Sequence, residues 1–405
     1  MADATARLVV RLYDVVAGEI ELHGNSVRFT PDPAYLALRP RPILGQIFED
    51  DPERVRPSHH RLAPWFSNLL PEKGGPLRDI MARQFGVHAD REFFMIAGLG
   101  HDLPGALTVL SADGTDLPDP PPVESTDPTP LESMHLKFSL AGVQLKLSML
   151  RDQRGLTFPA SGMGGNWIVK LPFHHLHQVP ENEFSMMTWL KESGVDVPTI
   201  ELLPAERIHG IPDGLIEPGT KVFAIERFDR TPLGPHHTED FAQIFDVYPE
   251  QKYQHANYES IGRVLLNLAG EEAVREFVRR LVAIVLMGNG DAHLKNWSVC
   301  YRDQFRAELS PAYDFVSTVA YKQFQNDTLA LNLDRSKSFA AVTPATFRRF
   351  GERIGYPRPS ELETLSASFA ETMRSTWFSI VGDIPVSPEI LAVMAARLRD
   401  LPIAG

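Results

Sequence analysis

Residues 117–130 read LPDPPPVESTDPTP, and these six prolines in 14 positions constrain the fold more than any other stretch. Proline fixes φ and has no amide N–H, so the run can continue neither a helix nor a central strand and favours extended polyproline geometry. It divides the chain into a segment before it and a longer one after it. With 405 residues and 43% hydrophobic content, the chain can bury more than one sizeable core without disulfide staples.

The segment before the run, residues 1–116, reads as an α+β subdomain. Leu8, Val10 and Leu12 alternate with Arg7, Val9 and Arg11, and after Gly18 a second extended stretch runs to Phe29. Between His60 and Ala97 the pattern turns helical, with Trp65, Phe66, Leu69 and Leu70 in one stretch and Ile80, Met81 and Phe85 in another. After the linker, short apolar runs around glycines at 136–150 and 155–171, a helix at 181–192 and a strand at 221–228 predict a small mixed β/α unit over 131–230. The remainder, 231–405, is expected to be mostly helical. Val274, Val278, Leu281 and Val285 step by four, three and four, with Glu271 and Glu272 at the positive end of the helix dipole. Ser387-Pro388 supplies a cap and first-turn proline for a last helix carrying Ile390, Leu391, Met394 and Leu398.

Composition excludes several classes of function. Forty Lys+Arg against 52 Asp+Glu give a formal charge of −12, the wrong sign for coating nucleic acid or an anionic membrane. DNA contact is expected only through a basic partner. Cys300 is the sole cysteine, which excludes a disulfide framework and a cysteine zinc cluster and fits a reducing compartment, the cytoplasm. The apolar run Leu281 to Met287 is core-sized, and the opening MADATARLVVRLYD has no export-signal pattern, so neither a membrane span nor secretion is expected. His174, His175 and His177, and the pairs His59-His60 and His236-His237, lack the further ligands of a structural metal site and read as solvated loop residues.

The chemistry concentrates in MGNGDAHLKNWSV, residues 287–299, directly after the predicted buried helix. Asp291 and Asn296 are five residues apart. Phosphoryl transfer needs a carboxylate beside the acceptor hydroxyl and hard oxygen ligands for Mg²⁺, and an Asp-x-x-x-x-Asn turn can supply both. Eighteen residues on, Asp314 stands between apolar neighbours in Pro311-Ala312-Tyr313-Asp314-Phe315, placed as a second metal ligand. Taken singly, the Asp loop reads more readily as a helix C-cap and turn, and Asp314 as a strand-end residue.

Their company decides otherwise. The strand-like run from Asn166 to Leu171 contains Lys170, suited to ATP phosphates, and the next helix offers Glu183 or Glu181 to hold it. Before it, the turn from Lys137 to Lys146 could bring backbone N–H groups to phosphate oxygens, with Gly142 permitting close approach. The richer Gly162-Met163-Gly164-Gly165 reads as a hairpin. Phe223 to Arg230 is an apolar strand whose end could meet adenine, or a sheet edge with a surface Arg-Asp pair. Turn loop, lysine, glutamate, hinge strand, Asp-x-x-x-x-Asn and later Asp follow one another in kinase order. The expected fold is α+β and two-lobed, protein-kinase-like, with a small mixed lobe, a large mostly helical lobe and the N-terminal α+β subdomain.

These motifs resemble the HipA-like serine/threonine kinases, the toxin half of a bacterial toxin–antitoxin pair. The likeness is carried by SLAGVQLK at 139–146, WIVKLP at 167–172, ENEF at 181–184, IERFDR at 225–230, GNGDAHLKN at 288–296 and PAYDFVS at 311–317. FSNLLPEKG at 66–74 is similar to that family's N-terminal signature. The resemblance implies ATP and Mg²⁺ as cofactors and Asp291 as the catalytic carboxylate, with Asn296 and Asp314 as Mg²⁺ ligands. It further implies Lys170 on the phosphates, Ala141, Gly142, Val143, Gln144, Leu145 and Lys146 over them, and Glu226, Arg227 and Phe228 as the hinge against adenine. His293 and Tyr313, inside the matched motifs, join the nucleotide-binding set. Ser139 falls at the family's autophosphorylated serine, where added charge near −2 would eject the loop. Leu145 departs from the acidic residue usual there and bears on loop conformation and regulation.

The resemblance also implies a small helix-turn-helix antitoxin like HipB, operator DNA reached mainly through that antitoxin, and a protein substrate such as an aminoacyl-tRNA synthetase. Two alternatives remain at this level: a small-molecule phosphotransferase of the aminoglycoside or choline kinase type, and an inactive pseudokinase acting as a corepressor.

Overall fold

The N-terminal alternation does what its period requires, turning Leu8, Val10 and Leu12 into one fully buried face of β1 (Thr5–Leu12). The structure is a computed structural model that describes residues 5–112, 146–151, 155–158, 164–172, 176–211 and 215–404. The proline run, the phosphate-loop positions Ala141 to Leu145 and Ser139 therefore lie outside the described residues.

β1 pairs antiparallel with β2 (Val15–His23), which pairs with β3 (Ser26–Pro31). With β4 (Arg56–His59) and β5 (Leu107–Ser111) they form a five-stranded sheet in the order β4-β3-β2-β1-β5. Short helices cover it: α1 (Pro33–Ala37), α2 (Gln46–Asp50), α3 (Pro64–Ser67), α4 (Pro76–Gln84) and α5 (Glu92–Leu99). Trp65 and Phe66 of α3 reach the core that the sequence predicts, but Leu69 and Leu70 are buried beyond the helix, which is only four residues long.

A six-stranded sheet follows, ordered β10-β7-β6-β8-β11-β9. Its strands are β6 (Lys146–Arg151), β7 (Leu156–Thr157), β8 (Trp167–Lys170), β9 (Ile200–Pro204), β10 (Ile208–His209) and β11 (Lys221–Glu226). Helix α6 (Val179–Glu192) joins β8 to β9 and packs on β11 and β9. Trp167 and Val169 face one small core with Leu147, Met149 and Val222.

The last part is less purely helical than its sequence suggests. It holds the hairpin β12 (Arg230–Thr231) with β13 (Gly234–Pro235), and a three-stranded sheet of β14 (His237–Asp240), β15 (Ser298–Tyr301) and β16 (Glu308–Leu309). Helices α7 (Phe241–Ile244), α8 (Tyr258–Met287), α9 (Pro344–Ile354), α10 (Pro359–Ile380) and α11 (Pro388–Asp400) supply the rest. The buried helix expected from Glu271 is the second half of α8, which breaks at Gly270 (φ 80°), so Glu271 does stand at a helical start. From Val274 to Met287 it is wrapped in the largest core. Ser387 caps α11 through Ile390 N–H at 3.4 Å, with Pro388 in the first turn, as expected.

The N-terminal unit is bolted to the rest by buried polar contacts. Asp102 accepts from Arg227 (2.9 Å) and Arg230 (3.2 Å), the Gly105 N–H donates to Asp229 (2.8 Å), and Arg230 donates to the Leu103 and Gly105 carbonyls at 2.7 Å. The Arg-Asp pair that could have been a surface feature is therefore an interior junction. His237 corrects the solvated reading of its pair: it is 1% exposed, bonds the Leu44 carbonyl at 2.8 Å, and burial lowers its pKa to about 4. Among the described residues no helix is long and apolar enough to cross a membrane.

Candidate active site

The second half of α8 ends at Gly288 in the left-handed region (φ 70°), where an added Cβ would lie 2.3 Å from Val319 Cγ2. The chain then turns back sharply. Buried Asn289 accepts the Asp291 N–H (3.0 Å) and donates to the Asp314 carbonyl (3.2 Å), tying the two acidic motifs together. The Asn296 amide donates to the Asp291 carbonyl at 3.0 Å, which leaves its oxygen for a ligand, and the His293 N–H bonds the same carbonyl at 2.8 Å. Asp291 and Asn296 are thus set by bonds inside one local turn.

Sheet register prepares the opposite wall. Lys146 of β6 and Lys170 of β8 are direct cross-strand partners, an arrangement of like charges that costs stability unless an anion intervenes. Asp314 is that anion: one carboxylate oxygen accepts from Lys146 at 2.9 Å and the other from Lys170. Lys170 also pairs with Glu183 of α6, which answers the choice between Glu181 and Glu183. Burial would raise the Asp314 carboxyl, but the two ammonium groups overcome it and hold the pKa well below the usual carboxylate range. Glu183, fully enclosed, is pushed up by burial against the pull of Lys170. Asp314 adopts φ 60°, a conformation rare for a residue with a side chain, and one that an active-site neighbourhood can hold.

Strand β11 leads out of the sheet at the third wall. The Arg227 N–H makes a last bond to the Asn166 carbonyl (2.9 Å), after which Phe228 packs over Tyr313 with ring centroids 5.8 Å apart. The Arg227 side chain turns to Asp229 and Asp102, so its guanidinium is not what the hinge offers an adenine. Tyr313 is anchored through its hydroxyl to the Lys295 carbonyl (3.0 Å) and Ser298 (2.5 Å).

Lys146, Lys170, Glu183, Arg227, Phe228, Asp291, His293, Asn296, Tyr313 and Asp314 line one cleft of about 1170 Å³, together with Ile168, Ile225, Glu226 and Leu329. Asp291 opens into it with a side chain 52% exposed and accepts the Tyr253 hydroxyl, while enclosure by the cleft pushes its carboxyl upward. His293 is 5% exposed, its Nδ1 has no hydrogen-bond partner among the described residues, and burial drives its pKa well below 6.5, so it enters the site as a neutral imidazole. Asn296 and Asp314 carry hard oxygen donors and Lys170 and Lys146 carry ammonium groups, the donor types that magnesium and phosphate take.

The cleft also contains residues to which the sequence gives no individual role, two of them inside the FSNLLPEKG signature. Asn68 and Glu72 come from the N-terminal unit: Asn68 accepts from Lys295 at 2.8 and 3.2 Å, and Glu72 pairs with Lys252 at 2.5 Å. Tyr253 and Thr318, which bonds the Gly290 N–H at 2.8 Å, complete the surroundings of the Asp loop.

Residues 138–377 match the HipA-like C-terminal domain, and residues 8–110 match the HipA N-terminal domain. The chain belongs to the HipA-like family. This HipA-like chain is 41% identical over 391 residues to the kinase-named protein Y4dM of Sinorhizobium fredii, covering 95% of the chain and 94% of that protein. It is 25% identical over 393 residues to the serine/threonine-protein kinase toxin HipA of Shewanella oneidensis, covering 87% and 84%. A solved structure of the Shewanella oneidensis HipA, HipB and operator DNA complex superposes with a TM-score of 0.69 at 22% identity, covering 98% of this chain and 96% of that one. The fold expected from the sequence, two-lobed and kinase-like with an N-terminal subdomain, is the fold observed.

Proposed function

We propose that this HipA-like chain is an ATP- and Mg²⁺-dependent serine/threonine protein kinase that acts as a growth-arresting toxin. One observation carries the reading: Lys170 is held between Glu183 and Asp314 in the same cleft as Asp291 and Asn296, with Asn289 bridging the two acidic segments. That constellation is what positioning and charge stabilisation of a phosphoryl group demand.

Asp291 orients the acceptor hydroxyl and takes its proton as the oxygen attacks the terminal phosphorus, whose bond to the β-phosphate oxygen breaks to release ADP. Lys170, fixed by Glu183, and Lys146 meet the phosphate oxygens. Asn296 and Asp314 hold the metal, whose charge, when bound, offsets that of the phosphates. The backbone from Glu226 to Phe228 meets the adenine edge while Phe228 and Tyr313 pack at its plane. The assignment of Ala141 to Leu145 to the phosphates and of Ser139 to silencing autophosphorylation is carried over from the family resemblance. The domain limits at 117–130 and 230 rest on the proline run and the sequence pattern, and a target in translation such as an aminoacyl-tRNA synthetase on the family resemblance. A HipB-like helix-turn-helix antitoxin as partner is supported by the matching complex of HipA with HipB and operator DNA. An acidic chain reaching DNA through that partner agrees with the charge of −12.

The test is incubation of the pure protein with γ-labelled ATP and a bacterial lysate, beside Asp291→Asn. Label is expected on protein with the wild-type chain, and none with the variant, which still binds Mg-ATP in calorimetry. Label confined to small metabolites, or undiminished transfer by Asp291→Asn, overturns the proposal.

A further inference from the structure

Among the described residues, the one side chain hydrogen-bonded to the Asp291 carboxylate comes from outside the catalytic turn. The Tyr253 hydroxyl donates to Asp291 Oδ1, and the Tyr253 ring stands edge-on to His293 with centroids 5.0 Å apart. A carboxylate has two oxygens, so a donor on Oδ1 fixes the rotamer and leaves Oδ2 for an acceptor hydroxyl. Tyr253 follows the short 3₁₀ turn Pro249–Gln251, and the carbonyl of the adjoining Lys252 accepts the Leu294 N–H at 3.2 Å, so this segment runs along the catalytic turn itself.

On its other side the same segment is gripped by the N-terminal unit. Asn68 donates to the Val247 carbonyl at 2.8 Å, and Ser58 meets the Tyr248 hydroxyl at 3.2 Å. The Arg61 guanidinium lies 3.3 Å from the centre of the Tyr248 ring and makes a two-pronged pair with Glu250 at 2.7 and 3.1 Å. Glu72 pairs with Lys252 at 2.5 Å. Each of these is a polar contact between units distant in sequence, and all converge on seven residues that end at Tyr253. A surface turn needs no such grip, whereas a turn that must deliver one hydroxyl to one carboxylate does, because misplacement on the order of 1 Å near the chemistry costs up to about a hundredfold in rate.

We infer that Tyr253 is a positioning residue for the acceptor carboxylate Asp291, and that the N-terminal unit serves the transfer reaction by holding the Tyr253 segment against the catalytic turn. The inference rests on the proposed role of Asp291 and adds what the N-terminal unit does for it. The phenol is suited to the task because enclosure and the neighbouring Asp291 charge raise its pKa, so it stays a donor throughout the physiological range.

The experiment compares the full-length wild type, Tyr253→Phe and Glu72→Gln in transfer from γ-labelled ATP to the lysate protein that the wild type labels. Tyr253 is 41% exposed, so removing only its hydroxyl leaves the packing in place. Tyr253→Phe is expected to lower the rate at saturating ATP by about tenfold or more with the KM for ATP within about twofold of wild type, and Glu72→Gln to show a smaller fall of the same pattern. A Tyr253→Phe rate within about twofold of wild type, or a change confined to the KM for ATP, overturns the inference. Should the wild type label no protein, the proposed function falls, and crystal structures of wild type and Tyr253→Phe then decide the inference alone. An Asp291 carboxylate displaced in the variant supports it, and one that stays in place overturns it.

Discussion

Glu239 on β14 is fully buried and lies where the N-terminal unit meets the large lobe. It accepts from Trp65 Nε1 (2.7 Å), from the Gln46 N–H (3.1 and 3.2 Å) and from the Tyr301 hydroxyl (2.9 Å), and no cation pairs with it among the described residues. Burial raises its pKa from 4.5 to about 7, the three donors only partly opposing the shift. The unfolded chain releases this proton near pH 4.5 and the folded chain near 7, so between those values the folded state binds more protons and stability falls as pH rises. Below about pH 4.5 the group contributes nothing; above 7 its cost is complete at about 3 kcal/mol. Glu239→Gln keeps one acceptor oxygen and cannot titrate. Urea unfolding of both proteins, measured from about pH 4.5 to pH 8, should show the stability of wild type minus variant dropping by about 3 kcal/mol across the range. A difference that stays level with pH would refute the reasoning and mean that the carboxylate remains ionised on its three donors.

Other perturbations follow from the same contacts. Asp229→Asn strips Arg227 and Arg230 of a 6%-exposed partner and should cost about 3 kcal/mol in urea unfolding; a loss under about 1 kcal/mol would show the junction is already balanced by Asp102. Gly288→Ala forces a left-handed residue against Val319, so a stability loss of at least about 1 kcal/mol is expected together with reduced transfer, because Asn289 and Asp291 follow directly. Lys170→Met leaves Glu183 and Asp314 facing each other without their shared ammonium; transfer should fall by about a hundredfold or more and Mg-ATP affinity should drop in calorimetry. Affinity equal to wild type would remove Lys170 from the phosphate site.

Local chemistry made much of this protein legible from its residues in order. The alternation of Leu8, Val10 and Leu12 needs only the two-residue period of a strand, and the Ser387-Pro388 start of α11 only the orphan amides of a first helical turn. The turn from Gly288 to Asn296 is likewise readable, since the bonds that shape it join residues two to five apart. The choice between Glu181 and Glu183 was not, because both lie near the start of α6 and only the packing of α6 beside β8 selects the one that meets Lys170. Tyr253 carries no local signal, its partner being 38 residues away, and Asn68, though inside FSNLLPEKG and bonded to the Pro64 carbonyl, reaches the site through partners 179 and 227 residues away. The same holds for Arg227 and Asp229, whose neighbours in sequence suggest a surface pair and whose partners in space, Asp102 and Gly105, make them an interior joint. Short-range hydrogen bonding and side-chain period act within a few residues and are written in the order of the chain. Which distant surface closes over a given carboxylate depends on how whole units pack, and that is decided only when the three-dimensional structure forms.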